Sequence, residues 1–267
     1  MSDEVIKAVI LARGLGTRMR KPDESADLMP GQSAAADLGV KAMIPIKRPF
    51  LDYVLSALAD AGFRRVCLVV GPEHDAVREY YARIPLSRIT VETAIQERPR
   101  GTADAVLAAE KFAGDDGFAV LNSDNYYPAP ALQALRAASP PAMVAFLRSA
   151  LIESGNVSVE GVGRFGALDI DDEGFLRKIT REVAPYEELV YASMNCWLFT
   201  REIFDACRRV PLSSRGELEL PKAVEMAIRE MGMRIRAVKV SQPVLDMSSR
   251  GDIASVVARL DSVDVSL

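Results

Sequence analysis

The sequence predicts an α/β fold with a mostly parallel central sheet covered by helices on both faces. Short apolar runs rich in β-branched residues alternate with longer runs of helical periodicity through the first half of the chain, as in βαβ units. These apolar runs lack the polar alternation of a half-exposed strand, which indicates strands buried on both faces. A chain of 267 residues, 49% of them hydrophobic, is long enough to bury one large core.

The first half supplies the elements of the parallel sheet. Leu51, Leu55 and Leu58 have helical spacing, and Gly62 stops that helix. The connection 22–39 is long for a βα loop, and its alanine-rich end is predicted to form a short helix. The predicted strands are "VIKAVILA", "RRVCLVV", "RITVETA", "GFAVLN" and "AMVAFLR", and the predicted helices are "PFLDYVLSALADAGF", "EHDAVREYYARI", "GTADAVLAAEKFA" and "APALQALRAAS".

The second half has a different pattern. The segments "FGALDIDDEGFLRKIT" and "ELVYASMNCWLFT" are predicted to form antiparallel strands, and therefore a smaller antiparallel sheet. Helices are predicted for "ELELPKAVEMAIREM" and "RGDIASVVARL", and short strands for "RIRAVKV" and "QPVLDM". No internal repeat or Gly/Ser linker interrupts the chain. We therefore expect a single domain, 1–267, made of the halves 1–148 and 149–267.

The composition argues against several classes of protein. A formal net charge of −4 disfavours nucleic-acid and anionic-membrane partners, so anions must be bound by locally placed cations. The cysteines lack metal-ligand spacing and are odd in number, which disfavours a disulfide framework or a zinc site. The acidic N-terminus and the lack of an apolar run of ~18 residues predict neither a signal peptide nor a membrane span. We expect a cytoplasmic protein.

The segment "LARGLGTRMR" follows the first predicted strand and joins bare backbone to clustered positive charge. In an open parallel sheet, ligands bind beyond the carboxyl ends of the strands. Gly14 and Gly16 leave backbone N–H groups free to approach phosphate oxygens, and Arg18 and Arg20 add charge. The segment therefore predicts a phosphate-binding loop, although glycines there also suit tight packing alone. It fails the dinucleotide pattern GxGxxG at Met19, and the Walker pattern is absent.

Further motifs occur along the chain in a defined order. "LARGLGTRMR" is followed by "KAMIPI", "QERPRGTADAV", "LNSDNYY", "ASMNCWLF", "RGELELPKAV" and "VLDMSSRGDI". The ordered set resembles the sugar-1-phosphate nucleotidyltransferases, also called NDP-sugar pyrophosphorylases. This resemblance implies a three-layer α/β/α, Rossmann-like (GT-A-like) nucleotidyltransferase fold. It also implies attack of a sugar 1-phosphate on the α-phosphorus of an NTP, with Mg²⁺ as cofactor and with NTP and sugar 1-phosphate as substrates.

The resemblance assigns residues to the nucleotide side of this site. Arg18 would contact the β- and γ-phosphates and assist the departure of pyrophosphate, and Lys41 would steady the α-phosphate. Gln96 would read the base, which favours uracil or thymine, although "GTADAV" is also similar to adenine-using members. A solvated surface position is the alternative for each of these side chains. The implied nucleotide-binding residues are Leu11, Ala12, Arg13, Gly14, Gly16, Thr17, Gln96, Gly101 and Thr102.

The resemblance also implies a metal site and a sugar-phosphate site. Asp124 and Asp246 each follow an apolar run, and carboxylates at strand ends suit Mg²⁺. The alternative for either aspartate is a helix cap. With Asp124, Arg18 and Lys41 form the predicted catalytic set. The predicted sugar-phosphate residues are Gly166, Arg181, Asn195 and Glu217, and Glu217 equally suits an early-turn helix acid.

Some positions depart from the family pattern. Arg13 stands where members usually have Gly or Ala, and "TREV" replaces the usual "EKP", so Arg181 is expected to take the place of a lysine. The chain leaves no room for a C-terminal β-helix domain, so none is expected. Self-association into a homo-oligomer stays open. Outside the motifs, His74 is predicted to lie on the surface at a helix start, and Trp197 in the core.

Two other classes of function compete with the nucleotidyltransferase hypothesis. A metal-dependent glycosyltransferase of related fold would use "SDN" near Asp124 to bind a nucleotide sugar. A degenerate, non-catalytic nucleotide- or sugar-binding relative is supported by Arg13 and "TREV". A glycosyltransferase has no evident need for "GLGTRMR" and "KAMIPI" together. The presence of Arg18, Lys41, Asp124 and Asp246 opposes the non-catalytic alternative.

Overall fold

The computed structural model of the protein describes residues 4–180 and 189–267. Its strands carry the apolar runs predicted above, and a two-residue pair lies outside the main sheet. The strands are β1 (Lys7–Leu11), β2 (Arg65–Val70), β3 (Thr90–Ile95), β4 (Phe118–Asn122), β5 (Asn125–Tyr126), β6 (Ala142–Leu147), β7 (Ala167–Ile170), β8 (Leu176–Thr180), β9 (Tyr191–Phe199), β10 (Arg236–Val240) and β11 (Leu245–Asp246).

The helices include the short one predicted at the end of the long connection. The helices are α1 (Pro30–Leu38), α2 (Phe50–Asp60), α3 (Asp75–Arg83), α4 (Thr102–Ala108), α5 (Glu110–Ala113), α6 (Ala129–Ala137), α7 (Arg148–Glu153), α8 (Ile203–Arg209), α9 (Leu220–Met231) and α10 (Arg250–Leu260). None of these helices, in the described parts of the chain, combines the length and apolar composition needed to cross a bilayer.

The main sheet has the order β10-β6-β9-β4-β1-β2-β3. Neighbouring strands run parallel except at β9, which is antiparallel to both β4 and β6. The hairpin of β7 and β8 extends from β9 and forms the smaller antiparallel part. The mostly parallel sheet and the antiparallel addition are thus confirmed. The antiparallel strands join the central sheet through β9 and do not form a separate sheet.

Strand β1 divides the core into two layers because its side chains alternate between the two faces. Ala8 and Ile10 pack with helix α2 on one face, whereas Val9 and Leu11 pack with α4, α8 and α9 on the other. All four side chains are nearly or fully buried. This arrangement makes the three-layer α/β/α sandwich that was predicted, and it brings the carboxyl ends of β1, β2, β3 and β4 to one edge.

Three helical details differ from the prediction. The run "GTADAVLAAEKFA" was predicted as one helix but divides into α4 and α5, because the backbone of Ala109 leaves the helical region at φ −92° and ψ 4°. Ala109 is completely buried, so tertiary packing overrides its helix propensity. Helices α7 and α8 were not predicted, since both are short and short runs carry little periodic signal.

Candidate active site

The loop after β1 uses its two glycines in different ways. Gly16 has φ +61°, and a Cβ there would lie 2.3 Å from the carbonyl oxygen of Gly39. It is therefore required by close packing against the end of α1. Gly14 has no heavy atom within 4 Å of an added Cβ, and it faces an open cavity. Close packing thus accounts for Gly16, whereas the space beside Gly14 is open.

The first cavity has a volume of about 390 Å³. Its walls come from the carboxyl ends of β1, β3 and β4 and from the loops that follow them. All nine residues predicted to bind the nucleotide line this cavity, and so do Arg18, Lys41 and Asp124. The fold therefore gathers segments from residue 11 to residue 124 around one space.

Gln96 directly follows the carboxyl end of β3, and its side chain contacts Gly101. Gln96 is 4% exposed, and its Nε2 donates to the Gly101 carbonyl oxygen at 3.0 Å and to Asp104 Oδ2 at 2.8 Å. Gly101 has φ +116°, and an added Cβ would meet Leu218 O at 2.5 Å. Glycine is thus needed at this position by the contact with the segment before α9. That contact ties the nucleotide side to the second half of the chain.

Asp124 and Asp246 come together through the small antiparallel pair of β5 and β11. Asp246 pairs with Asn125 in register, and the Met247 N–H donates to the Asp124 carbonyl at 2.8 Å. Lys41 Nζ lies 2.7 Å from Asp124 Oδ2. Residues separated by more than 120 positions in the sequence therefore form one charged cluster.

Asparagine side chains hold Asp246 in place. Asn125 Nδ2 donates to Asp246 Oδ1 at 3.0 Å. Asn156 binds the main chain of Asp246 twice, accepting from its N–H at 2.8 Å and donating to its carbonyl at 2.7 Å. Burial, and then the nearby Asp124 carboxylate, raise the pKa of Asp246 to about 6. The cluster thus concentrates negative charge that its surroundings only partly compensate.

A second cavity of about 640 Å³ opens on the other side of this cluster. Gly166, Asn195 and Glu217 line it, together with Arg18, Asp124 and Asp246. A Cβ on Gly166 would lie 2.3 Å from Ile179 Cγ2, so glycine allows the β7–β8 hairpin to close. Arg181, the fourth residue predicted for the sugar side, lies outside the described residues.

The two cavities meet at a shared boundary. Arg18, Asp124 and Glu217 line both of them. The Arg18 guanidinium has no hydrogen-bond or ion-pair partner among the described residues. Two substrates placed in the two cavities would therefore approach each other beside an uncompensated cation and the Asp124 carboxylate.

The sequence profile of the family described as "Nucleotidyl transferase" matches residues 7–241. The chain belongs to this family. The match covers most of the chain and includes every residue that lines the first cavity and all of those that line the second except Asp246 and Ser248. It confirms the family that the ordered motifs predicted.

Curated relatives of this nucleotidyl transferase include enzymes that act on glucose 1-phosphate. The chain is 28% identical to the glucose-1-phosphate thymidylyltransferase of Streptomyces antibioticus, over 94% of this chain and 65% of the relative. It thus spans less than two thirds of that longer protein. It is also 28% identical to the UTP–glucose-1-phosphate uridylyltransferase AglF of Haloferax volcanii, over 96% of each chain.

Solved structures share the same fold. A UDP-glucose pyrophosphorylase complexed with UDP-glucose superposes with a TM-score of 0.72 at 18% identity, covering 96% of this chain and 99% of the other. At this identity the superposition supports the three-layer fold.

The structure adds residues to the candidate site that the sequence did not reveal. Arg164 Nη2 lies 3.8 Å from Asp246 Oδ2, and Arg215 and Lys222 line the second cavity. The arginine in "GRFG", directly before the predicted Gly166 segment, was a signal for the first of these. The other two both lie within "RGELELPKAV", where only Glu217 was selected.

Two other predictions concern single aromatic rings. Trp197 is completely buried, as predicted. His74 directly precedes α3, as predicted, but it is only partly exposed and lines the first cavity. Its Nδ1 accepts from the Gly71 N–H at 3.2 Å, and burial lowers the pKa of its imidazole. The surface prediction for His74 is therefore confirmed only in part, because the ring is half-buried against the turn that follows β2.

Arg13 lies against the same turn. Its guanidinium donates from Nε and Nη2 to the Glu73 carboxylate at 3.2–3.3 Å, and its side chain is only 6% exposed. The Glu73 pairing carries the long side chain along the cavity wall and leaves the 390 Å³ space open. Arg13 therefore does not obstruct the cavity.

Proposed function

We propose that this nucleotidyl transferase joins an NTP and a sugar 1-phosphate, giving an NDP-sugar and pyrophosphate. The observation that carries the proposal is the pair of cavities that meet at Arg18 and Asp124. The first, with Gln96 and the open Gly14 backbone, suits a nucleoside triphosphate. The second, lined by both charge signs and by Asn195, suits a phosphorylated sugar or cyclitol. The reaction would take place where the two spaces meet.

The reaction transfers a nucleotidyl group between two oxygen atoms. A phosphate oxygen of the sugar 1-phosphate forms a bond to the α-phosphorus, and the bond from that phosphorus to the β-bridging oxygen breaks. Pyrophosphate leaves with the electron pair of the broken bond. Because no proton has to move, the protein contributes positioning and charge stabilisation.

Arg18 and Lys41 supply positive charge on the two sides of the reacting phosphorus. The unpaired Arg18 guanidinium is available to the β- and γ-phosphates, since arginine binds phosphate oxygens with two parallel donors. Lys41 Nζ, 2.7 Å from Asp124 Oδ2, is held at the boundary between the cavities. Its ammonium would bind the α-phosphate, and Arg164 and Lys222, which line the second cavity, would bind the sugar phosphate.

Asp124 and Asp246 fit a magnesium ion. Burial, and then the neighbouring Asp124 charge, raise the pKa of Asp246 to about 6, so ionising both carboxylates is costly unless a cation compensates their charge. No cluster of three or more His, Cys, Asp or Glu ligands exists within residues 4–180 and 189–267, so water and substrate phosphates would complete the coordination, as Mg²⁺ prefers. Bound there, Mg²⁺ would neutralise charge on the α-phosphate. A cytoplasmic location, where NTPs and sugar phosphates occur, is part of the proposal.

The test is pyrophosphate release from a panel of NTPs and sugar 1-phosphates. Release is expected only with both substrates and Mg²⁺, and Asp124→Ala and Arg18→Ala should each lower kcat/KM by at least ~100-fold. Arg83→Ala, which removes an exposed cation from α3, is the charge-matched control and should retain activity.

Two outcomes would contradict the proposal. Sugar transfer from a preformed nucleotide sugar, without pyrophosphate release, would identify a glycosyltransferase. Nucleotide binding without turnover across the panel would identify a non-catalytic relative.

A further inference from the structure

Arg250 connects the loop after β1 with the segment that carries Asp246. It is the first residue of α10, and its side chain is only 10% exposed. Its Nε donates to the Met19 carbonyl oxygen at 2.9 Å, and its Nη2 forms an ion pair with Asp37 near the end of α1. One guanidinium therefore joins three segments that lie far apart in the sequence.

The Met19 carbonyl depends on this contact. Met19 is completely buried, and Arg250 Nε is the one hydrogen-bond partner of its carbonyl oxygen among the residues that the structure describes. A buried carbonyl without a partner is costly, so removal of this donor would drive the turn toward water. Arg18 directly precedes Met19 in that turn, where its own carbonyl accepts from the Lys21 N–H at 3.3 Å. A shift of the turn would therefore displace the Arg18 side chain.

The segment from which Arg250 reaches the loop is itself held firmly. Asn156 binds the main chain of Asp246 at both its N–H and its carbonyl. The Ser249 N–H donates to Asp252 Oδ2 at 2.7 Å, which completes a capping box at the start of α10. The guanidinium of Arg250 therefore extends from a fixed base, and the position of the base is tied to that of Asp246.

We infer that Arg250 is a positioning residue, which holds the Arg18 side chain at the boundary of the two cavities by donating to the Met19 carbonyl. Arg18 lines both cavities, whereas Arg250 lies outside the walls that the described residues form around them. Arg250 thus acts on a bound nucleotide only through the loop. This inference rests on the proposed function, because it assumes that the triphosphate lies against Arg18.

Two substitutions separate the hydrogen bond from the charge and bulk of this side chain. In Arg250→Gln, the amide nitrogen is as many bonds from Cα as the arginine Nε, so it can still donate to the Met19 carbonyl. In Arg250→Met, a side chain of the same length carries no donor. Both substitutions remove the charge and the ion pair with Asp37. The two variants therefore differ chiefly in the hydrogen bond to Met19.

Calorimetric titration with Mg²⁺, without any sugar phosphate, tests the inference. A panel of ATP, CTP, GTP, UTP and dTTP first identifies the nucleotide that the wild-type protein binds most tightly, and that nucleotide is used for the variants. Arg250→Met should weaken its binding by about tenfold, because the contact of Arg18 with phosphate is partly lost. Arg250→Gln should stay within about twofold of the wild type. Arg259→Met, which removes an exposed cation from the same helix, is the control and should bind as the wild type does.

A double-mutant cycle with Arg18 decides whether Arg250 acts through that residue. In an Arg18→Ala protein, Arg250→Met should change the affinity by less than about twofold, because the side chain that it positions is gone. An equal loss in both backgrounds would mean a general effect on the fold and would overturn the inference. Wild-type affinity in Arg250→Met, or an equal loss in Arg250→Gln, would overturn it as well.

Binding also separates this inference from the proposed function. Non-additive effects of Arg250 and Arg18 on nucleotide binding, without pyrophosphate release from any sugar 1-phosphate, would sustain the inference and sink the proposed reaction. Turnover together with additive effects on binding would sink the inference alone. Absence of binding for every nucleotide would overturn both.

Discussion

Replacing Asp246 by asparagine should stabilise the metal-free protein at neutral pH, although it removes a proposed metal ligand. Asp246 is 4% exposed, and burial, followed by the Asp124 charge, raises the pKa of its carboxyl group to about 6. Asparagine keeps the oxygen that accepts from Asn125 Nδ2. The substitution therefore removes a buried charge without removing that hydrogen bond.

The size of the effect follows from linkage. Between its ordinary pKa of 3.8 and the raised value of about 6, Asp246 binds more protons in the folded than in the unfolded state. The free energy of unfolding therefore falls as pH rises through this window, and the loss is complete above it. The rise of the Asp246 pKa from 3.8 to about 6 corresponds to a loss of about 3 kcal/mol in the free energy of unfolding, at about 1.36 kcal/mol per pKa unit. For a chain of this size the melting temperature should rise by roughly 6–12 °C.

Scanning calorimetry in EDTA from pH 4 to pH 8 measures this effect. The melting temperature of Asp246→Asn should match the wild type near pH 4 and exceed it increasingly toward pH 7.5. Asp172→Asn, which changes an exposed acid, controls for net charge and should show no such divergence. Adding Mg²⁺ should raise the melting temperature of the wild type more than that of Asp246→Asn. A variant that is no more stable at pH 7.5, or a gap independent of pH, would refute the reasoning.

Other experiments test the loop after β1, the proposed metal site at Asp246 and the buried cysteines. Gly16→Ala should lower the free energy of unfolding by about 1–3 kcal/mol because of the positive φ of Gly16 and its contact with Gly39. Gly14→Ala should leave stability unchanged and weaken NTP binding. Thermal melts measure the first effect, and calorimetric titration with NTP measures the second. Asn156→Ala should raise the Mg²⁺ concentration for half-maximal activity by about tenfold, since it frees the main chain of Asp246; unchanged Mg²⁺ dependence would contradict this role. Cys67, Cys196 and Cys207 are buried, and burial raises the pKa of each thiol. Ellman's reagent should therefore label none of them in the native protein and all three after unfolding.

Local patterns were sufficient to predict most of the sheet and its helices. The run "AVIL" is apolar at every position because β1 lies between two helical layers, with Ile10 and Val9 buried in different clusters. Such a run can be recognised without knowledge of its neighbours. The position of β9 is different: its antiparallel insertion between β4 and β6 depends on long-range pairing, which periodicity does not encode.

The site could be predicted only where a motif marked it. Asp124 and Asp246 were selected because each matched a family segment, and the β5–β11 pair then brings them together. The pairing of Arg13 with Glu73, and the contact of Gln96 with Asp104, join side chains from different elements. Nothing in the local sequence specifies such contacts, since they depend on how loops meet at the edge of the sheet.

A crystal structure with Mg²⁺ and a non-hydrolysable NTP tests the central claim most directly. The account predicts the base beside Gln96, the triphosphate against the 14–18 backbone and Arg18, and the cation between Asp124 and Asp246. A nucleotide bound outside the first cavity, or a cation that contacts neither aspartate, would contradict it.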